Sequence, residues 1–217
     1  MPEPHLSQTI FLTRHGETHW NRERRFQGRM DSPLTERGVE QARRMGRTLR
    51  RFIDASAGWE IVASPLGRAH RTASIMADEI GLPSSRIHLD ERLMELDMGC
   101  WEGLTGPEIE ARTPGCLSGC PPHEVFFTCP DGETYDAFVE RLAAWKRDHD
   151  ERGKLIVVAH GLVSRILRGL YAGLDRSDLL QLDIPQDALF RIAGGAVERI
   201  DCATGPWETV PQEETRR

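Results

Sequence analysis

Three apolar runs in this chain end in polar residues of catalytic type and pass directly into helical patterns. That arrangement restricts the fold more than any other feature. Ile10-Phe11-Leu12 leads into Arg14-His15-Gly16. Trp59-Glu60-Ile61-Val62-Ala63 stops at Ser64-Pro65 ahead of Arg68, and Lys154-Leu155-Ile156-Val157-Val158-Ala159 ends at His160-Gly161. The last run is almost unbroken in apolar character, as in a central strand covered on both faces. Strands that alternate with helices in this way predict a parallel sheet whose carboxyl ends lie along one edge, where such sheets present their chemistry. The expected fold is α/β, a three-layer α/β/α sandwich around a mostly parallel sheet.

The helices are legible from spacing. Val39, Ala42, Gly46, Leu49 and Ile53 recur three and four apart behind Thr35 as N-cap, which predicts an amphipathic helix with an Arg-rich outer face. Leu66, Ala69, Ala73, Met76 and Ile80 repeat the pattern until Gly81-Leu82-Pro83 closes it. Arg68 therefore falls in the first turn of a helix, where backbone N–H groups and the helix dipole already favour an anion. Thr134 caps a third helix carrying Tyr135, Phe138, Leu142 and Trp145, and Leu162, Val163, Ile166, Leu167 and Leu170 carry a fourth. Ile87-His88-Leu89 is an expected edge strand, and Gly194-Gly195 between two apolar segments predicts a hairpin.

Residues 105–133 have a different character, with five prolines, three cysteines and Phe126-Phe127. They are expected to form a lid insertion, with the phenyl rings packing it down rather than walling a pocket. With 39% hydrophobic residues and no composition break, the 217 residues are expected to form one domain over 1–217, ending in a polar tail at 203–217.

Composition also excludes partners. A net charge of −6 argues against nucleic acid or an anionic membrane, since both require a dominating basic face. No stretch reaches the length of a membrane span, and Met1-Pro2-Glu3-Pro4-His5 lacks the charged and apolar segments of an export signal, so a cytoplasmic location is expected. Five cysteines are then expected as reduced thiols rather than a disulfide framework. Cys116, Cys120, His123 and Cys129 cluster, but their spacing does not match paired zinc ligands, and unligated loop cysteines are expected.

The chemistry concentrates in Arg14-His15-Gly16-Glu17-Thr18-His19-Trp20-Asn21. Arg14 offers a fixed fork of donors for a phosphate or carboxylate, and His15 has an ordinary pKa that lets it act as a neutral nucleophile near pH 7. Gly16 permits a tight turn and close approach of a ligand, and the amide of Asn21 suits the same anion. Together they describe an anion site with a nucleophile inside it. The acidic run Asp90, Glu91, Glu95, Asp97 and Glu102 supplies candidate proton donors, among which the residues alone leave Glu95, Asp97 and Glu102 open.

The stretch Arg14 to Asn21 resembles the R-H-G-E-T/S-x-x-N signature of the histidine phosphatase superfamily, the phosphoglycerate mutase-like family. The resemblance continues in order through Arg25-Phe26-Gln27-Gly28, Asp31-Ser32-Pro33-Leu34-Thr35, Ser64 to Ala69, Glu95 to Gly103 and Val158-Ala159-His160-Gly161. It implies a phosphohistidine formed on His15, with Arg14, Arg68 and Asn21 holding the phosphoryl group. It also implies His160 as a second, protonated histidine on the transferring oxygens, and Glu95 as the proton donor. Gln27, Gly28 and Gly161 are implied as further substrate contacts. Neither metal nor cofactor is needed, because the guanidinium groups and His160 neutralise the charge.

The mutases of the family also carry a Lys downstream of the acidic block and an Arg pair in the lid. Here the Lys position falls near Gly106, and residues 105–133 hold Arg112 as their one cation. Water is therefore the expected acceptor and a small phosphorylated metabolite the expected substrate, with the mutase as runner-up and an idle phosphate-binding module third. Arg71, where many family phosphatases have an uncharged residue, either extends the anion site or lies on the surface. A homodimer is compatible with the sequence but not specified by it.

Overall fold

Six strands form one sheet in the computed structural model, which describes residues 8–150 and 153–202. The polar tail expected at 203–217 lies outside the described residues. In chain order the elements are β1 (Thr9–Arg14), α1 (His19–Arg22), α2 (Glu36–Leu49), β2 (Glu60–Ala63), α3 (Gly67–Ile80), β3 (Ile87–Leu89) and α4 (Gly106–Arg112), followed by α5 (Tyr135–His149), β4 (Lys154–Ala159), α6 (Gly161–Ala172), α7 (Arg176–Gln181), β5 (Ala188–Ala193) and β6 (Ala196–Asp201). The sheet order is β3-β2-β4-β1-β5-β6. The first four strands in that order are parallel, and β5 and β6 add an antiparallel margin.

Alternation along the strands divides the core between two helical layers. Ile10 and Leu12 of β1 join Leu155, Val157 and Ala159 of β4 against Phe138, Leu142 and Trp145 of α5 and Val163, Ile166 and Leu167 of α6. Phe11, Ile156 and Val158 face the other way, onto Ala42, Met45 and Leu49 of α2 and Ala73 and Met76 of α3. Each of the larger side chains contributes about 1.5–3 kcal/mol by leaving water. The fold is thus the three-layer α/β/α sandwich expected from the sequence. No helix among the described residues is long and apolar enough to cross a membrane.

The caps are those that local chemistry predicts. The Thr35 and Thr134 side chains accept from the N–H groups of Gly38 and Ala137, and Gly81 ends α3 in the left-handed conformation at φ +82°. Gly194 and Gly195 turn the β5–β6 hairpin with φ of +56° and +79°, the conformation that a two-residue hairpin loop requires.

Two details depart from the periodicity. The second helix ends at Leu49, so Ile53 packs beyond it rather than on it. Residues 105–133 are not wholly irregular either: Thr105 and Glu108 form a capping box that starts α4 with Pro107 in its first turn. Around Trp101, Ile109 and Cys129 the segment builds a small core of its own, to which Phe26, Leu104, Leu117 and Val125 contribute.

Candidate active site

Register explains why residues from three distant segments meet. β1 and β4 pair in parallel with Arg14 beside Ala159, so His15 and His160 leave adjacent strands at the same level, and the His15 N–H donates to the Ala159 carbonyl at 2.9 Å. On the other side of β4, Ala63 pairs with Val158, and the Ser64 N–H donates to the Val158 carbonyl. Three strand ends thereby deliver His15, Ser64 and His160 to one point.

The His15 ring is buried, and its Nδ1 lies 2.7 Å from the carbonyl oxygen of Gly16. A carbonyl only accepts, so Nδ1 carries the proton and Nε2 keeps its lone pair. Burial, then the positive charges of Arg68 and Arg14, hold the pKa well below 6.5, which preserves the neutral ring. The loop that presents it is clamped to the start of α2. The Glu17 carbonyl accepts from the Thr35 N–H at 2.9 Å, the Glu17 N–H donates to Gln41 Oε1 at 2.8 Å, and Glu17's carboxylate accepts from Thr35 Oγ1.

His160 stands edge-on to His15, ring centroids 5.2 Å apart, with Nε2 2.7 Å from Ser64 Oγ. Its Nδ1 is buried without a protein partner. The sequence reading placed a protonated His160 on the phosphoryl group. Burial, then the charges of Arg68, His15 and Arg14, hold its pKa well below 6.5, which favours the neutral ring until a dianion offsets them.

The two arginines are fixed by backbone carbonyls. Arg14 Nη1 donates to the Ile184 carbonyl, while Arg68 Nη1 donates to Met30 O and Asp31 Oδ1 and its Nη2 to Gly28 O. In both side chains Nε is buried and has no partner. Burial lowers the Arg14 pKa to about 10 and lowers that of Arg68, leaving both cationic at neutral pH. Asn21 uses Oδ1 to accept from the Thr18 N–H and from Gln186 Nε2, which leaves its amide N–H groups for a ligand.

Among the three candidate acids, Glu95 alone lines the cavity. It is buried, with Oε1 accepting from the Leu96 N–H and Oε2 from the Leu162 N–H at the start of α6. Burial raises its pKa against the opposing pull of Arg68, so it holds a proton longer than an ordinary carboxyl. Glu102 instead accepts from the backbone N–H groups of Arg29, Met30 and Met98, and Asp97 accepts from Gly99 and pairs with Arg29.

The cavity, about 240 Å³, is lined by Arg14, His15, Asn21, Gln27, Gly28, Arg68, Glu95 and Gly161, while His160 is outside the lining and reaches it through its edge-on contact with His15. Gly28 sits at φ +51°, and a Cβ there would fall 2.0 Å from the Glu102 carboxylate. Phe126 reaches the wall while Phe127 packs on Phe138 and Tyr135, so the two rings split the roles weighed for them. Sequence reasoning did not find Ile184 and Gln186, which hold Arg14 and Asn21 from the loop before β5. Nor did it find Arg165, a buried cation whose field acts on Glu95. No local pattern marks any of these. Arg71 is exposed and outside the cavity. The cluster weighed for zinc does not assemble: Cys116 packs in the small core, Cys120 turns to the Pro121 carbonyl and His123 to Gln181.

The family model described as the histidine phosphatase superfamily (branch 1) matches residues 10–196. The chain is 35% identical over 206 residues to the probable phosphoglycerate mutase GpmB of Enterobacter sp. (strain 638), covering 91% of this chain and 86% of that one. Among solved structures it is similar to Bacillus stearothermophilus YhfR, with 32% identity, a TM-score of 0.71 and coverage of 89% and 96%. It is also similar to a mycobacterial glucosyl-3-phosphoglycerate phosphatase solved with VO3, with 25% identity, a TM-score of 0.66 and coverage of 91% and 98%. Matched over most of its length, with the signature's Arg14 and His15 at the end of the first strand, the chain belongs to the histidine phosphatase superfamily.

Proposed function

We propose that this protein is a metal-independent phosphomonoester hydrolase of the cytoplasm, acting on a small phosphorylated metabolite through a phosphohistidine on His15. The observation that carries the reading is a set of three buried nitrogens without protein partners, Arg14 Nε, Arg68 Nε and His160 Nδ1, around a histidine whose free nitrogen is Nε2. Buried polar atoms are almost always paired, and a phosphoryl dianion would pair all three.

In this mechanism the two guanidinium groups and Asn21 hold the phosphoryl oxygens, and His15 Nε2 attacks phosphorus in line with the leaving oxygen. The P–O bond breaks as the Glu95 carboxyl gives its proton to the departing alkoxide. Glu95, now a carboxylate, takes a proton from water, whose oxygen attacks phosphorus. The P–Nε2 bond breaks, and neutral His15 and inorganic phosphate result. Dianion binding favours the imidazolium form of His160, which the free site disfavours.

Water is the better acceptor because the lid contributes Phe126 and no cation to the described lining, which beyond the phosphoryl-binding set and Glu95 holds Phe26, Met98, Leu162 and Ile184 with Arg24 and Arg25. Arg25 is already paired with Glu23 and Glu108. Phosphoglycerate mutase is the second reading, favoured by the name of the 35% identical relative. The test is phosphate release from a panel of phosphomonoesters in chelator by wild type and His15→Ala. Release that depends on His15 and survives chelation supports the hydrolase. Turnover only with phosphoglycerate and a bisphosphoglycerate primer supports the mutase, and no turnover in either assay overturns both.

A further inference from the structure

Cys100 and Cys129, assigned no role above, approach each other with Sγ atoms 3.9 Å apart. The Asp131 Oδ1 lies 3.3 Å from Cys129 Sγ and 3.0 Å from the Cys100 N–H. The donor atoms of the three side chains lie within 4.8 Å of one another, the one such group of three among the described residues. The backbone makes room for this. Gly99 sits at φ +46°, and a Cβ there would come 2.2 Å from Asp131 Oδ1, so only glycine lets the carboxylate settle on this turn. The sequence spacing of Cys129 suggested other partners, and the fold turns it to Cys100 instead.

We propose that Cys100, Cys129 and Asp131 form a binding site for a thiophilic divalent cation, zinc in the first instance, with water as fourth ligand. Two thiolates bound at 2.3 Å to a tetrahedral zinc lie about 3.8 Å apart, and a thiolate and a carboxylate oxygen about 3.6 Å apart. The distances of 3.9 and 3.3 Å therefore approach ligand spacing before any ion arrives. A disulfide requires sulfurs about 2.05 Å apart and gives Asp131 no part in the bond. Cys100 and Asp131 are exposed while Cys129 is buried, so an ion enters from solvent and its open position faces outward. As each sulfur–metal bond forms, the thiol releases its proton to solvent, and no electron is transferred.

Such an ion joins two parts of the chain that already meet through the Glu133 N–H on the Asp97 carbonyl, the Cys100 N–H on Asp131 and the small core of Trp101 and Cys129. Cys129 Sγ donates to the Met98 carbonyl at 3.0 Å, and Met98 lines the catalytic cavity. The ion would fasten the root of the lid to the turn that carries Met98, outside the phosphoryl site and independent of its chemistry.

The experiment uses full-length protein stripped with chelator and then titrated with ZnCl2 against a chromogenic competitor, and with CdCl2 for the ultraviolet thiolate-to-metal charge-transfer band. One equivalent binds, the band has the intensity of two thiolates, and ZnCl2 raises the melting temperature. Cys100→Ala, at an exposed position that does not endanger folding, loses the band and the thermal shift. Asp131→Asn weakens binding about 10-fold or more while keeping the band. Binding undiminished in Cys100→Ala would place the ion elsewhere and overturn the proposal. So would zinc binding without a thiolate band, or a Cys100–Cys129 disulfide forming in air with no zinc bound after its reduction.

Discussion

Replacing Gly38 by alanine tests the clamp that presents His15. Gly38 lies in the first turn of α2, where alanine is the better helix former by about 1 kcal/mol, so a reading confined to the helix predicts stabilisation. The packing predicts the reverse. A Cβ at Gly38 would lie 2.0 Å from the Glu17 carbonyl oxygen, more than 1 Å inside ordinary contact at 3.4 Å, and 2.8 Å from the Glu17 nitrogen. The neighbour is backbone held at both ends, its carbonyl by the Thr35 N–H and its N–H by Gln41, so it yields only by breaking a hydrogen bond. Overpacking of this kind costs about 1–3 kcal/mol, and a lost buried hydrogen bond about 1–3 kcal/mol more. The clash therefore outweighs the propensity gain. The melting temperature falls by several degrees, at about 2–4 °C per kcal/mol for a chain of this size.

Activity falls further, because the displaced segment begins one residue after the Gly16 carbonyl that holds His15 Nδ1. A misplacement of about 1 Å at a reacting group costs on the order of 100-fold. Thermal melting and kcat for nitrophenyl phosphate read the two effects separately. A Gly38→Ala protein with wild-type melting temperature and kcat would refute the reasoning.

Glu95→Gln lowers kcat/KM for alkyl phosphates about 10²–10⁴-fold but spares kcat/KM for nitrophenyl phosphate, whose leaving group needs no acid, although hydrolysis of the phosphohistidine, for which Glu95 is the base, slows for both. Equal losses of kcat/KM on both point to another proton donor. The alkaline limb of kcat/KM for alkyl phosphates, which follows loss of the Glu95 proton, disappears in the same variant. Lowering pH below 6.5 destabilises the fold, because the unfolded chain protonates His15 and His160 while burial keeps both neutral when folded, costing up to about 1.4 kcal/mol per pH unit for each. Glu95 acts in the opposite sense, since its raised pKa lets the folded chain take up a proton first. Comparing melting temperatures between pH 6.5 and 5 with those of a His15→Gln/His160→Gln double variant isolates the histidine contribution, and an unchanged slope in that variant rejects it.

What could be read in the sequence was whatever a local pattern dictates. The apolar run 155–159 gave a central strand and the strand-end residues a shared edge, because alternation and burial follow from a few consecutive side chains. Glu95 was separated from Glu102 only by resemblance. The physical difference, a buried carboxyl at the start of α6 against one that ties together three backbone N–H groups, arises from segments about 70 residues apart. Thr105 and Glu108 did carry a readable helix start, obscured by the prolines around them. Gln186, Arg165 and the Cys100–Asp131 approach had no local signature, since each depends on where a loop falls after the sheet is assembled.

The position of β4 has a consequence for how the chain is made. The strand enters between β1 and β2, which both precede it in the chain, so a polypeptide made as far as residue 150 holds β1 alone and the β2–β3 pair, with no partner for the inner edge of either. Unpaired edges of that kind recruit other chains, and long-range parallel pairing forms slowly. The inner edges stay open until Leu155 to Ala159 are made, and the other edge of β1 until β5 follows. The same insertion brings His160 beside His15, and the residues that fix Arg14 and Asn21, Ile184 and Gln186, come later still, so the catalytic centre is complete only once the chain has passed both β4 and the loop before β5.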